Sequence, residues 1–212
     1  MSRLFRRVSL AGAALAAIVL PGCEATRHND ASSAYLIIDS LQAASGAKPD
    51  AFGGTLASDV LTKVKRDIDG KQQLVDTVFD DVAKVTLSLA MKDPGVSGTP
   101  TAPATANFIT LTRYHVKFLR SDGRNTEGVD VPYAFDGAVT VTVGSGTSIA
   151  AMTLVRIQAK NEAPLRSLIG GNGAYTISTI AEVTLYGTDQ AGHQVSVTGM
   201  ISVNFADWGD PT

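Results

Sequence analysis

Two polar stretches hold most of the side chains that could do chemistry in this chain. Residues 120–135 (RSDGRNTEGVDVPYAF) carry Arg120, Asp122, Arg124, Glu127, Asp130 and Tyr133, with Asp136 just beyond; residues 158–175 carry Lys160, Glu162, Arg166 and Asn172. Opposite charges with an aromatic and an Asn make a recognition surface of the kind that loops carry on β-sandwiches. The same residues would also suit a solvated rim of surface ion pairs. For catalysis the spacing is unhelpful: there is no Gly-x-Ser-x-Gly turn, no His-Glu-x-x-His helix and no Gly-x-Gly-x-x-Gly turn. His28 lies in a polar tether, His115 in a strand and His193 in a turn, and triads assemble in space rather than in sequence, so none is assigned. Asp67-Ile68-Asp69-Gly70 with Asp76 superficially suits calcium. The first ligand position of such a loop would be Lys65 and the closing Glu is missing, so a hairpin turn explains it better. Asp122, Asp130 and Asp136 are the other carboxylates that could gather around calcium; neither a metal ligand nor a catalytic residue is assigned.

The single cysteine decides more. Arg3, Arg6 and Arg7 precede an uncharged, mostly apolar run at 8–20 (VSLAGAALAAIVL), which closes on Leu20-Pro21-Gly22-Cys23. A basic start, an apolar core too short to span a bilayer comfortably and a small residue before the cut are the parts of an export signal. The segment resembles the bacterial lipobox. That resemblance implies cleavage before Cys23, a diacylglycerol or acyl lipid on its thiol, and a membrane as partner; two or three acyl chains anchor stably where one does not. Glu24 in place of Asp after the cysteine implies the outer membrane in the sorting rule of such lipoproteins. Arg6-Arg7 is also similar to a twin-arginine signal, though Ser9 and Leu10 match its continuation only in part.

The expected organisation is a signal peptide over 1–22, a lipidated tether over 23–34 and one domain over 35–212. The tether (EATRHNDASSA) is polar and without periodicity, with a reach of about 18 Å for its length. A folded part of about 170 residues suffices for a core without disulfides or metals. Charged residues are 18% against 44% hydrophobic, which excludes disorder. The formal net charge is −2, and without the three leader arginines it is −5, with no basic stripe to meet phosphates, so nucleic acid is excluded as a partner.

Apolar residues recur with a period of two from residue 35 onward. Asp69-Gly70 predicts a two-residue hairpin turn between strands at 60–68 and 72–79. Val85, Leu87, Leu89 and Met91 alternate with small or polar residues, as do Val139, Val141 and Val143. Within 108–119, Ile109 and Leu111 share one parity and Tyr114, Val116 and Phe118 the other. No regular strand keeps both sets on one face, so a bulge is predicted near Thr112-Arg113. Strands at 177–186 and 195–205 form the closing hairpin through 188–192. The segment 93–107, rich in Pro, Thr and Ala, reads as an extended, mobile connection.

Seven to nine such strands predict an all-β antiparallel sandwich. The closing hairpin, with GTDQAGH and VTGMISVNF, resembles the end of immunoglobulin-like or fibronectin-like domains on bacterial surface proteins; the Cys…Trp…Cys pattern of antibody domains is missing, and Trp208 lies beyond the last strand. The whole is similar to bacterial lipoproteins of no assigned activity. If every strand between 108 and 186 reverses direction, the loops at 120–137 and 158–175 share one end of the sandwich. The expected function is therefore a lipid-anchored, non-catalytic module that binds an envelope protein or glycan or supports the envelope, with no cofactor beyond the lipid. The alternatives are a periplasm-facing accessory subunit of an outer-membrane assembly and an envelope enzyme.

Overall fold

The computed structural model describes residues 31–209. The leader, Cys23 and most of the tether lie outside the described residues. Ser32 is buried and Ala34 opens the first strand, so the last residues of the expected tether belong to the fold.

Twelve strands follow: β1 (Ala34–Ala44), β2 (Thr55–Asp59), β3 (Thr62–Ile68), β4 (Lys71–Thr77), β5 (Asp81–Met91), β6 (Gly95–Val96), β7 (Thr99–Pro100), β8 (Ile109–Leu119), β9 (Phe135–Val143), β10 (Ser148–Val155), β11 (Ile177–Asp189) and β12 (Gln194–Ala206). Eight of them build an all-β sandwich: a three-stranded sheet in the order β1-β5-β10 faces a five-stranded sheet in the order β2-β12-β11-β8-β9. The pairs are antiparallel, as expected, except β2 on β12, which runs parallel. The chain thus leaves the edge of the small sheet after β1 and crosses to the edge of the large one. β3 and β4 form a separate ribbon, and β6 and β7 a two-residue ladder within the connection expected to be extended.

Alternation in the sequence becomes two facing layers. Val85 and Leu87 of β5 with Ala150, Met152 and Leu154 of β10 meet Ile109, Leu111, Val116, Phe118, Val183, Leu185, Val203 and Phe205 of the large sheet. Phe118 and Phe205 meet edge to face at 5.5 Å between ring centres, the geometry aromatic quadrupoles favour. Asp69 and Gly70 both take positive φ, 54° and 75°, as a two-residue hairpin turn requires.

The parity break in β8 resolves as expected. Pairing with both neighbours skips Thr112, so Leu111 and Arg113 are consecutive in the ladder and both apolar sets point inward. The kink brings the backbone of Thr110 and Leu111 against Gly187 so closely that a Cβ there would collide with the Thr110 carbonyl oxygen. Only glycine fits at that site.

Strand direction gives the sandwich two distinct ends. At one, where β1 begins, the β11–β12 turn is organised by Asp189, whose carboxylate accepts the Ala191 and His193 backbone N–H groups, each at 2.9 Å, and pairs with His193 Nδ1 at 2.9 Å. Burial works to raise that carboxyl, but the His193 ring, these N–H groups and the Ser32 hydroxyl outweigh it and hold the carboxyl below its ordinary value. At the other end lie the 45–54 turn, the β3–β4 ribbon, the 120–134 and 156–176 loops and the residues after β12. The 13 residues of β11 span about 40 Å between these ends.

Gly187→Ala should lower stability to urea by about 1–3 kcal/mol, the usual cost of forcing atoms into a packed site. Gly54→Ala, with open space around the new methyl, should stay within about 0.5 kcal/mol of the parent.

Candidate functional site

A buried ion pair frames the loop end. Asp81, the first residue of β5, and Lys160, the last of the short helix α1 (Ile157–Lys160), meet at 2.8 Å with side chains 0% and 1% exposed. The same carboxylate oxygen accepts the Gly46 backbone N–H at 2.9 Å, and the other accepts the Ser58 hydroxyl at 2.6 Å. Burial pushes the Asp81 carboxyl up, opposed by the Lys160 charge and by the hydrogen bonds from Lys160, Ser58 and Gly46. One acid thereby ties the turn after β1, the end of β2, the start of β5 and the loop after β10.

Lys160 was expected on the surface among the recognition residues. It is instead part of the interior. Its stem lies where water is excluded, and its ammonium is held by a carboxylate 79 residues away in sequence.

The other expected residues do share this end of the sandwich or its flank, but they do not converge. Asp122 is clasped between Arg120, at 2.6 Å, and Arg124, at 3.0 Å. The hydrogen bonds from Arg120, joined by those from Arg124, hold its carboxyl well below the usual range. Asp130 accepts the Thr126 N–H at 3.2 Å and closes the same loop on itself. Tyr133 is 52% exposed and lies over Gly128. Asp136 belongs to β9 and sits on the outer face of the large sheet with Arg113 at 3.2 Å and His115 at 3.4 Å, where the Arg113 guanidinium also covers the Tyr186 ring. In the second loop, Glu162 accepts from Gln158 at 3.0 Å, and Arg166 and Asn172 are exposed. Among the described residues, no hydrogen bond or ion pair joins the candidates of one loop to those of the other, and no group of three His, Cys, Asp or Glu converges as a metal site.

The concavity at this end is built from residues the sequence did not single out. Ala43 and Gly53 exchange both backbone hydrogen bonds at 2.9 Å, which closes the 45–52 turn into a flap carrying Lys48. After β12 the chain is strapped down on both sides. The Asp207 carboxylate accepts the Gly170 N–H at 2.6 Å, the Trp208 backbone N–H donates to Asp59 at 3.1 Å, and the Trp208 indole N–H donates to the Ser58 carbonyl at 3.2 Å. The half-buried indole is thereby fixed beside a hollow of about 440 Å³, floored by Ala43, Leu56 and Ala57. A second hollow of about 430 Å³, walled by Lys63, Val64 and Lys65 of β3 and by Phe79, shares Ala47 and Thr62 with the first. Both volumes lie in the range of ligand sites, and an apolar floor with a few polar groups is their usual lining. A fixed aromatic ring at the rim offers a flat apolar face at no ordering cost.

No protein-family model matches the chain, and neither a curated protein nor a solved structure matches it. The geometry is therefore the guide to function.

Lys160→Met should lower stability by about 3–5 kcal/mol in chemical denaturation, because it leaves a buried carboxylate without its counter-charge. Adding Asp81→Asn in the same chain should recover part of that loss. A double variant as unstable as the sum of the two single ones would mean that the two residues act independently.

Proposed function

We propose that this protein is a lipid-anchored envelope module that binds a ligand in the groove beside Trp208, at the end of the sandwich turned away from the membrane. The observation that carries the reading is the placement of that groove. β1 begins at the end opposite the groove, so a lipid on Cys23 holds the β11–β12 turn near the bilayer and presents the groove about 40 Å further out. The module works by display, and the sandwich is its spacer.

The strand order supports an immunoglobulin-like assignment. β1, β5 and β10 correspond to strands A, B and E of that fold, and β8, β9, β11 and β12 to C, C′, F and G. The crossing of β2 to lie parallel with β12 fits the same scheme as a split first strand.

A second reading, an accessory subunit of an outer-membrane assembly, is favoured by the β3–β4 ribbon. Among the described residues each of its strands pairs only with the other, and such open edges can accept a further strand.

The test uses full-length protein purified from membranes and isolated cell-envelope material. Trp208→Ala should weaken sedimentation with that material by about tenfold or more, as loss of an aromatic anchor does, and Thr188→Ala at the opposite end should leave it unchanged. Cys23→Ala should release the protein from membranes. Equal sedimentation of the Trp208→Ala and parent proteins would refute the groove as the binding end. Membrane retention of the Cys23→Ala protein would refute the anchor. Binding abolished by a strand-blocking Leu74→Pro change in the ribbon, but not by Trp208→Ala, would establish the assembly reading instead.

A further inference from the structure

The two ends of the sandwich differ in charge. Residues 94–112 and 137–155 carry no charged side chain. The connections within them, 94–108 into β8 and 144–147 out of β9, both lie at the end where β1 begins. Among the described residues, the charges on those connections, on the β11–β12 turn and at the strand ends they join are Lys92, Asp93 and Asp189. Asp93 accepts the Gly95 N–H at 3.0 Å, and Asp189 accepts two N–H groups of its own turn. Apolar groups stand exposed around them. Tyr35, 58% exposed, and Ile37 point outward from β1 beside Ala90 and Ser88 of β5, and Val96 of the β6–β7 ladder is 73% exposed between the exposed Pro94 and Pro100. The carboxylate of Asp39, held by the Ser88 hydroxyl at 2.8 Å, bounds this strip on the side towards the groove. The groove end exposes Val129, Tyr133, Ile169 and Tyr175 too, but interspersed with the exposed Arg124, Glu127 and Arg166.

We infer that this end is set into the headgroup layer of a lipid bilayer, with Tyr35, Ile37 and the β6–β7 hairpin among the lipids and the groove held outward. This rests on the reading of Cys23 as the lipid anchor, and adds to it a second contact made by the folded domain itself. The position of Cys23 selects the occupant. It precedes Ala34 by eleven residues, which span at most about 40 Å when fully extended. Contact through the groove end would use all of that reach, because the sandwich is itself about 40 Å long. Contact through the end where β1 begins uses none of it. Charge is expensive to place in lipid, and the neutral end avoids that cost where the groove end would not. The Lys92 ammonium stands over the Tyr35 ring at 5.1 Å. Such a pair suits the boundary between acyl chains and headgroups, the ring sitting at that level and the ammonium reaching the phosphates. A lipid alone holds the domain near the membrane without holding it upright. Insertion of the end fixes the orientation, so that the groove faces away from the bilayer.

Trp208 is the only tryptophan in the chain and lies at the groove end, so it serves as the control. The experiment places full-length protein purified from membranes in phosphatidylcholine vesicles, with or without bromine on the upper acyl chains as a contact quencher of tryptophan. Val96→Trp, with Trp208 kept, should lose the added part of its emission in the brominated vesicles. The parent, and Tyr133→Trp at the groove end, should lose none. About 0.5 M NaCl should leave the loss unchanged, since salt screens charge attraction and not apolar insertion. Tyr35→Asp and Ile37→Asp added to Val96→Trp should reduce the loss by about twofold or more. Protein that sediments with the vesicles while Val96→Trp is unquenched, or is quenched no more than Tyr133→Trp, would overturn the inference and leave the anchor standing. Indifference to the two Asp changes would do the same. Protein that does not sediment with the vesicles would overturn both readings. Unquenched Val96→Trp together with dimers that Ile37→Arg dissolves would give the face to a second copy of this chain instead.

Discussion

The loop end of this sandwich depends on one carboxylate. Asp81 starts β5, sits in the interior, and is the common acceptor for Lys160, Ser58 and the Gly46 backbone. A lone buried carboxylate would be far too costly to keep charged, and a lone buried ammonium likewise. Each is tolerated because the other is there, and the geometry that brings them together is the geometry of the loop end. If Lys160 moves away, α1 loses its fixed point. If Ser58 moves, the end of β2 loosens, and with it the residue pair Ser58–Asp59 to which Trp208 is strapped. A hydrophobic pair of similar volume could be as stable. What the ion pair adds is a directional tie between four segments that a core of Val and Leu would leave free to slide.

From that tie the molecule acquires polarity. At the end where β1 begins, Asp189 saturates the β11–β12 connection. The opposite end is built from connections held to one another by single side chains: Asp207 to the 156–176 loop, Trp208 to β2, and the Arg156 guanidinium over the Phe135 ring at 4.1 Å. Rigid strands between the two let an anchor at one end and a groove at the other behave as parts of a single body. The β3–β4 ribbon, which forms one wall of the groove, pairs with no strand of either main sheet, and two-stranded ribbons have little stability of their own.

Much of the sandwich was legible in the sequence because period-two alternation and turn chemistry are local. Asp69-Gly70 announced its hairpin. The clash of parity between Leu111 and Tyr114 announced the bulge at Thr112, since a strand cannot turn both residues inward without one. Reversal of successive strands was enough to bring the 120–134 and 156–176 loops to one end. The site itself was not legible, because it is made by contacts between distant residues. Lys160 looked like a loop cation, and nothing local tells that Asp81 waits for it. The parallel crossing of β2 has no sequence signature, yet it supplies Ser58 and Asp59. Trp208 lay past the last strand and so outside any pattern; its solitary occurrence was the one available signal.

Hydrogen exchange on the full-length protein, with and without envelope glycan, tests the binding end most directly. Added protection should be confined to 43–59, 62–65 and the residues around Trp208, with the 120–134 loop and the β11–β12 turn unchanged. Protection concentrated instead in 120–134, or spread over the outer face of the large sheet around Arg113 and Asp136, would contradict it and move the site to the charged residues that the sequence alone had favoured.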